Sequence, residues 1–144
     1  MGKVIAVCTS PEKGTQKKNV GRAEFIEDYG IKGDAHAGKW HRQVSLLSYG
    51  KIEEFCSRGA VVGNGAFGEN LVVDGIELSE LPVGTRFACN DVILELTQIG
   101  KECHHGCEIF QKVGDCIMPR EGVFSKVIRG GFIEAGDVLE IIKE

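Results

Sequence analysis

The sequence is poor in several features that would place a protein in a particular class. It has three prolines and no stretch of about 18 apolar residues, the length that a membrane-spanning helix needs. Its net charge of -4 argues against nucleic-acid binding, since phosphate neutralisation requires clustered lysine and arginine. The first residues, MGKVIAVCTS, carry only a short apolar run and do not resemble a signal peptide. These absences predict a cytoplasmic protein that binds neither membrane nor nucleic acid.

Glycine and cysteine are frequent by contrast, with 20 and six residues. The glycines predict many tight turns, and the length of the chain fits a single domain over residues 1–144. Because cytoplasmic cysteines are mostly thiols, we expect metal binding or catalysis from them rather than a disulfide framework. The basic run Lys13 to Arg22 is expected to be a solvated loop.

Short apolar segments separated by glycine predict a mainly β protein. In the segment VILELTQIG, Val92, Leu94 and Leu96 are expected to share one face of a strand. This strand and the preceding TRFACND form a predicted hairpin that turns at Asn90-Asp91. Further strands are predicted in KVIAVCTS, AEFIEDYG, QVSLLS, ENLVVDG, GVFSKVIRGG and GDVLEIIKE.

Helices are expected to be few. SYGKIEEFCSRG has the apolar spacing of a helix, with Ser48 as its N-cap and Gly59 as its stop. A second short helix is predicted after Cys103. The first helix would bury an apolar stripe formed by Tyr49, Ile52, Phe55 and Cys56. Many short strands with one or two short helices predict a closed or partly closed β-barrel.

The densest group of reactive side chains is CHHGC at residues 103–107. Zinc takes four nitrogen or sulfur ligands. The nearby cysteines are Cys103, Cys107 and Cys116, and neither of the two spacings between them is the C-x2-C of common zinc knuckles. Three cysteines could instead hold an iron–sulfur cluster with one open iron. A helix beginning near His104 would lower the pKa of the Cys103 thiol and favour a reactive thiolate. The residues alone leave these readings open, and the metal-binding set would be Cys103, Cys107, Cys116 and His104.

Two glycine-marked segments place polar residues beside predicted strands. GIKGDAHAGKWHRQVSLLS combines a carboxylate with imidazoles and a guanidinium, which suits metal or acid–base chemistry. GNGAFGENLVVDG offers backbone N–H groups that can approach an anion closely. It matches neither a phosphate-binding P-loop nor a dinucleotide-binding glycine motif, so no nucleotide cofactor is expected.

Four segments resemble the MOSC family, the domain named after the C-terminal part of molybdenum cofactor sulfurase. They are GIKGDAHAG with RQVSLLS, GAFGENLVVDGIELSELPVGTRF, ILELTQIGKEC and GVFSKVIRGGFIEAGDVLEI. The resemblance implies a β-barrel of the pyruvate-kinase barrel type and a signature cysteine in a glycine-walled cleft. By position this cysteine is Cys103, although Glu102 precedes it where the family often has proline. The cleft residues would be Asp34, His36, Arg42, Phe67, Glu69, Asn70 and Gln98.

The resemblance also implies a function. Family members are associated with sulfur carriage on a cysteine persulfide, or with binding of the molybdenum cofactor (molybdopterin) through a metal-ligating thiolate. Both need a partly exposed thiolate in a positive environment, to which Arg42 and Arg120 could contribute. The expected partners are a cysteine desulfurase or molybdenum cofactor biosynthesis proteins, and the sequence leaves the choice between a monomer and a homodimer open. The alternatives are a zinc or iron–sulfur module and a partner-docking domain without chemistry of its own.

Overall fold

The computed structural model describes residues 2–10, 17–35, 37–40, 43–56, 69–99 and 122–142, apart from the side chains at 55 and 56. Its one α-helix over these residues, α1, spans Tyr49–Cys56, and a single 3-10 turn covers Leu78–Glu80. The strands are β1 Gly2–Thr9, β2 Lys18–Asn19, β3 Arg22–Ile26, β4 Gly30–Ile31, β5 Val44–Ser48, β6 Leu71–Asp74, β7 Arg86–Cys89, β8 Val92–Ile99, β9 Val123–Arg129, β10 Gly131–Glu134 and β11 Val138–Ile142.

Seven strands close into a barrel in the order β11-β7-β8-β9-β5-β6-β1, and pairing of Gly2 with Leu139 joins the two ends. Neighbouring strands in a closed ring of seven cannot all alternate in direction. The required exception is the parallel pair β5–β6, while the other barrel pairs are antiparallel. The predicted mainly β barrel is therefore confirmed. Beside it, β2 extends the sheet from β1, and β10-β3-β4 form a three-stranded sheet.

The barrel interior is filled by alternate residues of its strands. Val92, Leu94 and Leu96 of β8 are at most 1% exposed, as the period-two pattern predicts. Strand β5 is buried along its whole length, and α1 packs against it. The largest fully buried side chains are Phe25, Phe87, Ile31, Leu46, Leu47, Leu71, Leu78, Leu94, Leu96, Ile133 and Leu139.

The predicted β7–β8 hairpin is confirmed, with Asn90 at φ 54° in its turn. Asparagine tolerates this left-handed conformation better than most residues do. The Asn90 amide also donates to Asp137 Oδ2 at 2.8 Å and to the Phe132 carbonyl at 3.2 Å. The turn is therefore tied to the strands that follow β9.

The segment AEFIEDYG is a strand–turn–strand and not the single strand that its apolar pattern predicts. Strand β3 ends at Ile26, Asp28 takes φ 51° in the turn, and β4 begins at Gly30. The Gln43 side chain holds this turn in place, because its Nε2 donates to Asp28 Oδ1 at 3.2 Å. The short strand β10, which pairs with β3, was also not predicted.

Helix α1 confirms the predicted helix, and its Ile52 is 4% exposed. The Ser48 hydroxyl, expected to cap it, instead donates to the Ile76 carbonyl at 2.8 Å and accepts from Leu78 N–H at 3.1 Å. Ser48 therefore anchors the chain after β6. Gly59 and the helix predicted after Cys103 lie outside the described residues, as does the Cys56 side chain. Within the described residues, no helix has the length and apolarity that crossing a membrane requires.

Candidate functional site

Strand pairing and direction define one end of the barrel. Strand β1 runs antiparallel to β6, and β5 runs parallel to β6, so the end of β1 lies beside the starts of β5 and β6. We call this the Ser10 end, after the residue that follows β1. The last residue of β8, Ile99, pairs with Val123, and Val123 pairs with Leu46 in the middle of β5.

A buried ion pair lies at the Ser10 end. Lys17 Nζ is 2.8 Å from Asp34 Oδ1, and the two side chains are 1% and 0% exposed. The same carboxylate oxygen accepts from Ser10 N–H at 3.1 Å, and Lys17 also donates to Ser10 Oγ at 3.3 Å. The carbonyl of Ser10 accepts from Ala35 N–H at 2.8 Å. The end of β1, Lys17 and the turn after β4 are thus joined at one point.

Glu69 and Cys8 belong to the same buried cluster, and both are 0% exposed. Burial and, to a lesser extent, the Glu69 carboxylate raise the pKa of the Cys8 thiol to about 12, while the Lys17 ammonium opposes the rise. The charges of Glu69 and Lys17 are therefore both felt at one thiol. Since the Cys8 thiol stays protonated at neutral pH, it is a poor nucleophile.

Asn70 joins three strands at the Ser10 end. Its Oδ1 accepts from Ser45 N–H at 2.9 Å and from Ser45 Oγ at 3.1 Å, and its Nδ2 donates to the Cys8 carbonyl at 3.0 Å. Its backbone N–H donates to Ser45 Oγ at 3.0 Å. The resemblance implies that Asn70 lines a cleft. In the structure its side chain holds β1 and β5 together at the start of β6.

The remaining cleft residue that the structure describes, Gln98, is partly buried on β8 and pairs with Phe124. Phe124 pairs in turn with Ser45, the residue bonded to Asn70. The structure therefore brings Asp34, Glu69 and Asn70 together and places Gln98 level with Ser45, two strands away on the barrel wall. The other candidate residues lie outside the described residues: His36, Arg42, Phe67, Cys103, His104, Cys107, Cys116 and Arg120.

Lys17 is the site residue that the sequence analysis missed. Its run of basic residues predicted a solvated loop, and Lys18 is indeed exposed, but Lys17 is 4% exposed. Its partner Asp34 is 17 positions away. The local pattern carries no signal for such a pair, which only the three-dimensional arrangement brings together.

Metal ligation at the Ser10 end is not supported by the part of the chain that the structure describes. No group of three histidine, cysteine, aspartate or glutamate side chains there has the arrangement to hold a metal ion. The described cysteines, Cys8 and Cys89, are buried free thiols.

The barrel, one short helix and a buried polar cluster at one end define the class as a small β-barrel domain. The model of the MOSC domain family matches residues 33–140. The chain belongs to the MOSC domain family, which is associated with molybdenum cofactor biology. A comparison with curated protein sequences found no match.

Solved structures of similar fold support the same assignment of architecture. The YuaD protein from Bacillus subtilis superposes with a TM-score of 0.81 at 20% identity, covering 98% of this chain and 96% of that one. YiiM from Geobacillus stearothermophilus has a TM-score of 0.73 at 15% identity, with 99% and 76% covered. YiiM from Escherichia coli has a TM-score of 0.66 at 21% identity, with 99% and 70% covered. At these identities the likeness shows the fold.

Proposed function

We propose that this MOSC domain acts in molybdenum cofactor metabolism through Cys103, as a sulfur carrier or as a ligand of the cofactor's metal. The observation that carries the proposal is the family match over residues 33–140, a range that includes Cys103. The low-identity structural neighbours support the barrel only. The assignment of Cys103 rests on the segment ILELTQIGKEC, whose strand part is β8.

As a sulfur carrier, Cys103 would act as a thiolate nucleophile on the terminal sulfur of a donor persulfide. The sulfur–sulfur bond of the donor breaks as a new one forms at Cys103, and the donor cysteine leaves as its thiolate. The products are a Cys103 persulfide and a reduced donor, so atoms and electrons balance without an added oxidant or reductant. A cysteine desulfurase is the class of donor that supplies such a persulfide.

As a cofactor-binding residue, Cys103 would act as a soft thiolate ligand. When bound, the molybdenum cofactor supplies a redox-active metal. The described residues fit a role in supporting the site better than direct contact with the cofactor. The Asn70 side chain and Asp34 Oδ1 already accept hydrogen bonds from the protein itself. Direct contacts are therefore proposed for the undescribed residues His36, Arg42, Phe67 and Arg120.

The sulfur-carrier proposal is tested by incubating the protein with a cysteine desulfurase and cysteine and then measuring its mass. We expect an adduct of about 32 Da, one sulfur atom, that thiol reductants remove. The Cys103→Ser variant should lack it. Cys89→Ala is the matched control, because Cys89 is a buried thiol whose pKa is raised to about 11 by burial and by Asp137. It should load like the wild type.

Two results would replace the proposal. Stoichiometric zinc or iron without pterin would favour the metal module formed by Cys103, Cys107, Cys116 and His104. Absence of sulfur adduct, pterin and metal alike would favour a partner-docking domain. Loss of Cys103 would then leave binding to its partner intact.

A further inference from the structure

We propose that Lys17 is a positioning residue of the site, because its buried ion pair with Asp34 fixes the turn after β4 against the end of β1. The inference rests on the function proposed above and adds to it a residue that the family resemblance did not indicate. Lys17 acts through Asp34 and Ser10 rather than through contact with sulfur or cofactor.

The geometry places both ends of a chain segment at one anchor. Ser10 precedes residues 11–16 and Lys17 follows them. Lys17 Nζ donates to Ser10 Oγ and to Asp34 Oδ1, while Asp34 Oδ1 also accepts from Ser10 N–H. Moving Lys17 away would remove one hydrogen bond from Ser10 and one from Asp34, and would so loosen the end of β1 and the turn at Asp34.

The turn at Asp34 leads directly to candidate site residues. Asp34 N–H donates to the Ile31 carbonyl at 3.1 Å, and the Asp34 carbonyl accepts from Ala37 N–H at 3.2 Å. The second bond links the residues on either side of positions 35 and 36, and at position 36 the sequence carries a histidine. The orientation of Asp34 therefore sets the path of the backbone on either side of that position.

Stability alone does not account for this ion pair. Burying an ammonium and a carboxylate costs desolvation energy, and apolar residues of similar volume often stabilise a fold as well or better. The ion pair orients the chain instead, since its hydrogen bonds fix both side chains relative to Ser10. It also places a positive charge in the cluster that holds Glu69 and Cys8.

The test compares wild type with Lys17→Met and with the double variant Lys17→Met, Asp34→Asn. The double variant leaves no unpaired charge at the pair and keeps an oxygen that accepts from Ser10 N–H. Lys126→Met is the control, since Lys126 pairs with Glu95 at 3.5 Å on the outer wall and is 41% exposed. The measurements are sulfur loading by a cysteine desulfurase and native-state hydrogen exchange of the Ser10 and Ala35 amides.

We expect the folded double variant to load on the order of tenfold more slowly, since small misplacements in a site cost this much or more. Its Ser10 and Ala35 amides should exchange faster, while the Ser45 amide, bonded to Asn70, keeps its protection. Lys126→Met should behave as wild type in both measurements. Slower loading together with this local loss of protection supports positioning by Lys17.

Three outcomes would overturn the inference. The double variant loads at the wild-type rate, it loads slowly with unchanged exchange at Ser10 and Ala35, or Lys126→Met has the same effects. If the wild type itself acquires no sulfur, the proposed function fails separately. The role of Lys17 is then tested by hydrogen exchange alone. Unchanged protection of the Ser10 and Ala35 amides in the double variant rejects it.

Discussion

Two lysine–carboxylate pairs show how burial decides what a charged residue contributes. Lys17 and Asp34 are 1% and 0% exposed at the Ser10 end, whereas Lys126 and Glu95 are 41% and 22% exposed on the barrel wall. An exposed pair gains little because water and salt screen it. A buried pair affects stability mainly when one partner is removed, because the other partner then stays charged in a poorly solvated environment.

Removing one partner of each pair should therefore have unequal effects on stability. Asp34→Asn should lower the free energy of unfolding by about 3–5 kcal/mol. Glu95→Gln should lower it by about 1 kcal/mol or less, because that carboxylate is partly solvated. Urea denaturation of the two variants and of the wild type measures both values. Equal losses would show that the Lys17–Asp34 pair is not isolated from solvent.

The buried thiols predict how stability depends on pH. The pKa of Cys8 is raised to about 12 and that of Cys89 to about 11, above the ordinary thiol value of 9.0. The folded protein thus holds these protons more tightly than the unfolded chain does. Their stabilising contribution is complete below pH 9 and is lost as the pH rises from about 9 toward about 12.

Cys8→Ala should make this alkaline decline in stability shallower, because it removes one of the two thiols with raised pKa among the described residues. The free energy of unfolding is measured by urea denaturation at several pH values from about 8 to about 11. By the upper end of this range, the Cys8 thiol of the unfolded chain has begun to titrate. Cys89→Ala should flatten the decline as well. If the stability of both variants falls with rising pH as steeply as that of the wild type, groups other than these two thiols cause the decline.

Among the elements, those with a strong local pattern were predictable and those set by distant contacts were not. Strand β8 alternates along its length, and α1 has helical spacing, so both were predicted. The β3–β4 hairpin was missed because its turn depends on Asp28 in the left-handed region and on a hydrogen bond from Gln43. Strand β10 exists through its pairing with β3.

Gly30 allows a test of how tightly the backbone of the β3–β4 hairpin is constrained. Its φ is 126°, and a Cβ there would lie 2.9 Å from the Gln43 carbonyl oxygen. Gly30→Ala should lower the free energy of unfolding by about 2–3 kcal/mol, because it adds backbone strain and a contact with main chain. Gly50→Ala is the control: Gly50 lies in α1 with open space around it, so alanine should stabilise by about 0.5–1 kcal/mol. Thermal unfolding of the two variants decides, and tolerance of Gly30→Ala would contradict the strained turn.

At the scale of the whole molecule, the barrel was predictable and the layout of the site was only partly so. Short strands and glycines indicate the fold class. The order of the strands, including the parallel pair β5–β6 and the pairing that closes the barrel, is known only from the structure. Asp34, Glu69 and Asn70 share the Ser10 end, and Gln98 is level with Ser45 through the pairing of both with Phe124. The sequence motifs do not say which residues of separate strands pair, so this arrangement could not be foreseen.

The most direct test of the central claim is the mass and metal content of the protein after purification without air. We expect sulfur on Cys103, as an adduct of about 32 Da in the peptide that contains it, or bound pterin that is lost in Cys103→Ser. A Cys103→Ser protein that retains the same sulfur or pterin as the wild type would rule out the proposed role of Cys103.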